Sequence, residues 1–171
     1  YNSARFSEDL DFTLISEINK HNFIVFLKDL VNKYPGITNV ETQEKFYTIF
    51  GLVRIKEDYL GRTFSIKIEI SKRAGKWEKN KDYTDKLIKS EVTPLTVLIQ
   101  VETLERILEE KKDAMKNRKV ARDIFDFWFI GQLLKQEVKV NFKGYDKEEV
   151  VAELHRLLPK NYWKVVETWL E

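Results

Sequence analysis

The sequence predicts an α+β fold, in which a small mixed sheet is followed by an all-helical C-terminal half. Apolar and polar residues alternate from Asp9, as in a strand with one buried face. Two further strand-like runs are separated by a loop of hairpin length, and from Glu102 onward apolar residues recur at helical spacing. We therefore expect an α/β core over residues 1–101 and a helical region over residues 102–171 packed on it.

The first half is predicted to hold a strand, an amphipathic helix and a strand pair. The strand begins at Asp9. Asn22 is a candidate N-cap for a helix that a Pro-Gly pair ends after Tyr34. The strand-like runs, around residues 46–56 and 63–71, are joined by a short loop, so the sheet is expected to be mixed or antiparallel here.

The second half is predicted to be helical after a lysine-rich connection. Residues 72–89 contain many lysines and few aliphatic side chains, so we expect a solvated connection there. A short apolar run over residues 94–101 is expected to be a strand or the approach to a helix. Four helices are then predicted, around residues 102–117, 124–134, 147–158 and 162–170.

The composition excludes several functional classes. The chain has 171 residues, and its 30 Lys+Arg nearly balance its 28 Asp+Glu, so neither a polybasic nucleic-acid arm nor an acidic tail explains the whole protein. No stretch approaches the roughly 18 uninterrupted apolar residues of a membrane span, so no membrane association is expected. The absence of cysteine excludes disulfides, thiolate metal sites and thiol nucleophiles, and it fits a reducing compartment such as the cytoplasm.

The acidic residues of the first strand are candidates for a metal site. Asp9 and Asp11 alternate on one face, where carboxylates about 6–7 Å apart can both reach a hard divalent cation. In the strand near residue 68, three isoleucines face the core while Lys67 and Glu69 point the other way. If the two strands are neighbours, Glu69 becomes a third carboxylate, and bound Mg²⁺ or Mn²⁺ relieves the repulsion. The alternative is a solvated strand face that binds no metal.

Two other patterns have both a functional and a purely structural interpretation. Asp123 and Asp126 share one helix face, which suits a catalytic cluster or a lattice of charges on a solvent-exposed face. Trp77 and Tyr83 are interleaved with lysines, which suits base stacking on RNA beside a cationic track or a mobile solvated loop. Spacing alone leaves both pairs of interpretations open.

Three motifs, taken in order, resemble one known family. Residues 3–12 read S-A-R-F-S-E-D-L-D-F, which closely resembles the R-F-S-x-D-h-D-h signature (h, apolar) of the nucleotidyltransferase-like AbiEii/AbiGii toxin family. Residues 68–70 look like the third acidic strand of that family. Residues 108–111, with Arg118 and residues 122–127, look like its helical E-K, R and R-D-h-h-D-h motifs. The ordered set extends over most of the chain and is far more specific than any one motif.

The resemblance implies a polymerase-beta-like nucleotidyltransferase core and a set of site residues. In that pattern, Asp9 and Asp11 bind the metal that carries the nucleoside triphosphate, and Glu69 completes the acidic set. Lys111 contacts the triphosphate, and Asp126 assists at the catalytic centre. Four further residues are predicted to bind the substrate. Arg5 and Ser7 lie beside the phosphates, Lys67 lies on the third acidic strand, and Asp123 orients the helix pair.

The resemblance also implies an activity and its partners. The protein is expected to move a nucleoside monophosphate from a triphosphate to an acceptor. RNA such as tRNA is the predicted acceptor, and a protein hydroxyl is the other acceptor class. Many family members are toxins that a cognate antitoxin neutralises, so we predict the toxin of a toxin–antitoxin or phage-defence pair.

One departure from the family pattern leaves a second interpretation open. Family members carry a glycine-rich turn just before the R-F-S segment, and the backbone amides of that turn hold phosphate. This sequence starts too late to contain the turn, so we expect either a truncated piece or impaired phosphate binding. The alternative function is therefore a catalytically inactive fragment or binding module that keeps the fold.

Overall fold

The computed structural model describes residues 4, 9–58, 61–73, 75–90 and 93–169. The chain forms two compact units, one of Ser7–Lys76 and one of Tyr1–Phe6 with Trp77–Glu171. The fold is α+β, as predicted, with six strands in two sheets and five α-helices among the described residues. The two units divide after Lys76, and the last two strands form a separate sheet of their own; the domain boundary after residue 101 stays a prediction.

In its described part, the unit Ser7–Lys76 contains a four-stranded sheet and one helix. In chain order its elements are β1 (Asp9–Thr13), α1 (Lys20–Lys33), β2 (Ile37–Glu44), β3 (Thr48–Ile55) and β4 (Phe64–Ser71). The sheet order is β1-β4-β3-β2, with β1 parallel to β4 and the other neighbours antiparallel. The sheet is therefore mixed, as predicted. The sequence pattern does not predict β2, because this edge strand is mostly polar and exposed.

Helix α1 covers one face of this sheet. Asn19 caps it, since its side chain accepts a hydrogen bond from the backbone N–H of Asn22 at 3.1 Å. The predicted N-cap at Asn22 is therefore wrong. The buried Leu27 lies against β3, where a Cβ added at Gly51 would be 3.0 Å from Leu27 Cδ1. The buried apolar side chains of β3 and β4 on this face are Ile49, Val53 and Ile70.

Among its described residues, the unit that contains Trp77–Glu171 holds a hairpin and four α-helices. The hairpin corrects the prediction of a solvated connection over residues 72–89, because lysines and exposed positions obscure the alternation of its first strand. The elements are β5 (Tyr83–Lys89), β6 (Thr96–Glu102), α2 (Leu104–Asn117), α3 (Ala121–Leu133), α4 (Lys147–Leu157) and α5 (Trp163–Glu167). Within the described ranges, no helix combines the length and apolar character that a membrane crossing requires.

These helices pack around an apolar core rich in aromatic side chains. Phe125 of α3 is fully buried, stacks on Phe129 with ring centroids 5.7 Å apart, and meets Tyr162 edge-on at 5.9 Å. Leu154 of α4 and Val166 of α5 are also fully buried. Burial of side chains of this size contributes roughly 1.5–3 kcal/mol each. The core therefore holds α3, which carries two of the predicted site residues, firmly against its neighbours.

Candidate functional site

The predicted carboxylates of β1 and β4 lie on one face of the sheet. The two strands are parallel, and their register pairs Asp9 with Lys67 and Asp11 with Glu69. Paired residues of neighbouring strands point to the same side of a sheet, so all four side chains share a face. Helix α1 covers the opposite face, where Leu27 packs against β3. We call the group formed by Asp9, Asp11 and Glu69 the acidic face.

The ammonium group of Lys67 joins two of these carboxylates. Its Nζ lies 3.0 Å from Asp9 Oδ2 and 3.1 Å from Glu69 Oε2. The three side chains are between 31% and 36% exposed. The hydrogen bond to Asp9 raises the pKa of Lys67 above its ordinary value, burial opposes this, and the bond to Glu69 adds to it. Lys67 therefore keeps its positive charge at neutral pH between the two carboxyl groups.

The acidic face offers the donor atoms that a hard divalent cation requires. Carboxylate oxygens are the ligands that Mg²⁺ and Mn²⁺ prefer, and Mg²⁺ often needs only one or two of them when phosphates complete its shell. Among the residues that the structure describes, however, no three Asp, Glu, His or Cys side chains converge closely enough to form a ligand cluster. Lys67 lies between Asp9 and Glu69 instead. The metal-binding roles of the acidic face thus stay a prediction.

The predicted helical site residues form a buried ionic cluster in the other unit. Lys111 of α2 places its Nζ 3.1 Å from Asp123 Oδ1 and 2.8 Å from Asp126 Oδ2, both on α3. The Asp123 side chain is fully buried and that of Asp126 is 9% exposed. The interpretation of these acids as a charge lattice on a solvent-exposed face is therefore wrong. Their spacing puts them on one side of α3, and that side faces α2.

Arg118, which directly follows α2, completes this cluster. Its Nε donates to Asp123 Oδ2 at 2.7 Å, and its Nη2 donates to Asp123 Oδ1 at 3.0 Å. Burial alone would raise the pKa of Asp123, but the hydrogen bond from Arg118 and the charge of Lys111 outweigh it and hold that pKa below its ordinary value. Asp123 is therefore ionised at neutral pH and links α2, the connection after it and α3.

Arg118 is the member of the cluster that residue spacing did not reveal. It lies outside both helices, so helical periodicity cannot pair it with Asp123. In the sequence, the arginine of the family motif indicates it. Tyr145 also reaches this connection, because its Oη donates to the carbonyl oxygen of Arg118 at 3.3 Å.

Two predicted site residues cannot be placed. Arg5 and Ser7 lie outside the described residues, so their position beside the phosphates stays a prediction. The other predicted residues fall into two groups, one in each compact unit. The first group is the acidic face with Lys67, and the second is Lys111, Asp123 and Asp126.

The aromatic and lysine-rich segment already has internal partners. The guanidinium of Arg106 lies 5.0 Å from the ring centroid of Trp77. Two lysines of the predicted cationic track, Lys79 and Lys81, form ion pairs with neighbouring carboxylates. These contacts take up part of the positive charge that RNA phosphates would use. Base stacking on Trp77 and Tyr83 stays a prediction.

Comparison with known proteins identifies a family and a fold. A family model described as "Nucleotidyl transferase AbiEii toxin, Type IV TA system" matches residues 1–158. The crystal structure of JHP933 from Helicobacter pylori is similar, with a TM-score of 0.54 and 21% identity over 91% of this chain and 60% of that one. A second crystal structure, of a nucleotidyltransferase candidate from H. pylori, has a TM-score of 0.52 and 21% identity over 91% of this chain and 61% of that one. This chain thus spans less than two thirds of both structures, and no curated protein matches its sequence.

Proposed function

Because the chain belongs to the AbiEii nucleotidyltransferase toxin family, we propose that it acts as a metal-dependent nucleotidyltransferase or as part of one. It moves a nucleoside monophosphate from a nucleoside triphosphate to an acceptor, for which we propose RNA such as tRNA. The observation that carries this proposal is the shared face of Asp9, Asp11 and Glu69 on the β1–β4 pair. We further propose a cytoplasmic toxin of a toxin–antitoxin or phage-defence pair, with an antitoxin protein as its partner.

In this proposal the acidic face holds Mg²⁺ or Mn²⁺. Asp9, Asp11 and Glu69 supply the oxygen ligands, and the parallel register keeps them on one face. The bound metal supplies charge stabilisation for the attacking and leaving oxygens of phosphoryl transfer. The two strands fix the backbone under these side chains, so side chains rather than strands would move when the metal binds.

The ionic cluster of the helical unit is proposed to contact and orient the substrate. Lys111 contacts the triphosphate, and its 22% exposed side chain leaves part of its surface open to an anion. Asp126, which accepts from the same ammonium group, assists at the catalytic centre. Asp123 orients Lys111, because its buried carboxylate is anchored by Arg118. Arg5 and Ser7, named from the family pattern, are proposed to lie beside the phosphates.

One observation favours a second candidate function, a catalytically inactive fragment or binding module that keeps the fold. Lys67 lies between two of the proposed metal ligands, Asp9 and Glu69. A protein in which this ammonium group permanently replaced the metal would bind a partner or a nucleotide without transferring a nucleotidyl group. The two functions therefore differ in one measurable product, a labelled acceptor.

Transfer of a labelled nucleotide separates the two candidate functions. The protein is incubated with Mg²⁺, radiolabelled nucleoside triphosphates and either tRNA or a protein acceptor. We expect labelled RNA with the wild type and none with Asp11→Asn. Asp29→Asn, which changes an exposed carboxylate on α1, is the matched control and should label as well as the wild type. Equal labelling by the wild type and Asp11→Asn contradicts the role of Asp11. Triphosphate binding without any labelling favours the inactive module.

A further inference from the structure

The ammonium group of Lys67 lies where a divalent cation held by Asp9 and Glu69 would have to lie. Its Nζ is 3.0 Å from one carboxylate oxygen and 3.1 Å from the other. A single metal ion that binds both carboxylates must also lie between them, and it would compete with this ammonium group for their oxygens. Two cations cannot share this space, so a metal ion binds both carboxylates only if Lys67 moves away.

Strands β3 and β2 offer the displaced ammonium group little compensation, and Asp11 of β1 would ligate the same metal ion. On β3, the register places Leu52 opposite Lys67, and the sequence of β3 contains no acidic residue. On β2, the next strand, Glu41 already accepts hydrogen bonds from Arg54 at 2.8 and 3.1 Å. Displacement by a free metal ion therefore breaks two charge-assisted hydrogen bonds and leaves Lys67 beside another positive charge.

A triphosphate changes this balance, because it brings anionic oxygens to the same place as the metal. Phosphate oxygens accept hydrogen bonds from a lysine ammonium group as carboxylate oxygens do. A metal ion that arrives bound to a triphosphate therefore supplies a new partner for Lys67. A free ion supplies none.

We infer that Lys67 makes the acidic face select a metal–triphosphate complex over a free divalent ion. This inference rests on the proposed function, and it gives Lys67 a role as a positioning residue that couples two ligands. Such coupling is reciprocal: if Lys67 opposes the free metal and pairs with the triphosphate, each ligand strengthens the binding of the other. The inference deepens the sequence-based assignment of Lys67 as substrate-binding, because it adds a contact made before any substrate is bound.

Binding of Mn²⁺ in the absence of nucleotide, measured by electron paramagnetic resonance or calorimetry, tests this inference directly. Lys67→Met keeps most of the side-chain length and removes the charge. We expect it to bind free Mn²⁺ about tenfold more tightly than the wild type and a non-hydrolysable triphosphate with Mn²⁺ about tenfold more weakly. Free Mn²⁺ should also raise its melting temperature more than that of the wild type.

Two further variants separate this coupling from a general effect of charge. Lys67→Arg keeps a positive charge between the carboxylates, so free Mn²⁺ should bind to it no more tightly than to the wild type. Lys72→Met removes a lysine of the same unit that pairs with Glu44 instead, at 2.9 Å. It is the matched control, and both affinities should change by less than about twofold. If Lys67→Met does not give a folded protein by circular dichroism, Lys67→Gln takes its place.

The outcomes distinguish failure of this inference from failure of the proposed function. Equal affinity of the wild type and Lys67→Met for free Mn²⁺ overturns the coupling role and leaves the metal site standing. A Lys72→Met variant that shifts both affinities as much as Lys67→Met also overturns it, since the effect then follows net charge. If no variant binds Mn²⁺ with or without a triphosphate, the proposed function fails, and the inference fails with it.

Discussion

Arg118 donates two hydrogen bonds to the fully buried carboxylate of Asp123, one from Nε at 2.7 Å and one from Nη2 at 3.0 Å. The planar fork of a guanidinium matches the two oxygens of a carboxylate, which a lysine in the same place could not do. Because Lys111 of α2 reaches the same carboxylate, one acid on α3 holds both cations. The packing of α2 against α3 therefore depends on Asp123.

Loss of the Asp123 carboxylate is expected to destabilise the helical unit. Asp123→Ala removes the acceptor of both Arg118 hydrogen bonds and leaves Lys111 paired with Asp126, so it should lower the free energy of unfolding by about 1–3 kcal/mol. Urea unfolding followed by tryptophan fluorescence reports this unit alone, since all four tryptophans belong to it.

A surface ion pair on α2 provides the control for that measurement. Asp113 pairs with Lys116, and the two side chains are 68% and 64% exposed. Asp113→Ala should therefore cost less than about 1 kcal/mol. Similar losses in Asp113→Ala and Asp123→Ala would show that the buried cluster contributes nothing beyond an ordinary surface pair.

The lowered pKa of Asp123 predicts that part of the stability is lost in acid. Burial raises the pKa of Asp123, but the combined opposite effect of Arg118 and Lys111 is larger and brings it below the ordinary value of 3.8. As the pH falls, the unfolded chain therefore takes up this proton before the folded chain does. The stabilisation is fully present above the unfolded pKa and is lost as the pH falls through the folded one.

Comparison with Asp123→Asn isolates this contribution from that of the other carboxylates. The difference in unfolding free energy between the wild type and this variant should be constant between about pH 7 and 5 and shrink below pH 3.8. Urea titrations at a series of pH values measure it. A difference that stays unchanged down to about pH 2 would mean that Asp123 titrates alike in both states.

Strong apolar periodicity made most elements predictable from the sequence, and its absence explains the two that were missed. β3, β4 and the helices each repeat apolar residues at the period of a strand or a helix. β2 is mostly polar, and β5 is interrupted by lysines, so neither shows a clear period. Both form because a neighbouring strand offers hydrogen bonds, which is a tertiary effect that a local pattern does not carry.

In the site as well, sequence periodicity predicts some features, and others depend on how the strands pair in the fold. The common face of Asp9, Asp11 and Glu69 follows from period-two alternation once two strands are assumed to be neighbours. The contact between Lys67 and Asp9 does not follow, because it depends on the register of β1 against β4. Alternation predicts on which face of the sheet a side chain lies. Which residue of the neighbouring strand lies beside it depends on the strand register.

Gly131 of α3 is predicted to resist replacement by alanine. A Cβ at this position would lie 2.5 and 2.7 Å from the two methyl carbons of Val138, a β-branched side chain with little rotational freedom. Gly131→Ala should destabilise the protein by about 1–3 kcal/mol, although alanine is favoured over glycine in a helix by about 1 kcal/mol.

The second substitution Val138→Ala tests the cause of that loss. It removes both methyl groups that the new Cβ would meet. The loss of unfolding free energy in the double variant should therefore be smaller than the sum of the losses in the two single variants. Thermal unfolding of the four proteins of this cycle gives the interaction energy. Strict additivity would show that the close approach to Val138 is not what disfavours alanine.

Lys111 is expected to matter for nucleotidyl transfer more than other lysines of α2. Under the proposed function, Lys111→Met removes the cation that contacts the triphosphate, so transfer should fall by about tenfold or more, with a raised KM for the triphosphate. Lys116→Met changes an exposed lysine of the same helix and should leave the kinetics unchanged. Unaltered kinetics in Lys111→Met would remove this residue from the proposed site.

The position of β1 in its sheet determines at which stage of synthesis and folding the acidic face can form. β1 is the first strand of its unit in the sequence, yet it pairs with β4, the last. The meander of β2, β3 and β4 closes through local contacts, whereas the pairing of β1 must span the whole unit and therefore comes later. On the ribosome, a nascent chain cannot bring Asp9 and Glu69 together until β4 has emerged, so the acidic face forms only after all four strands of this sheet have been made.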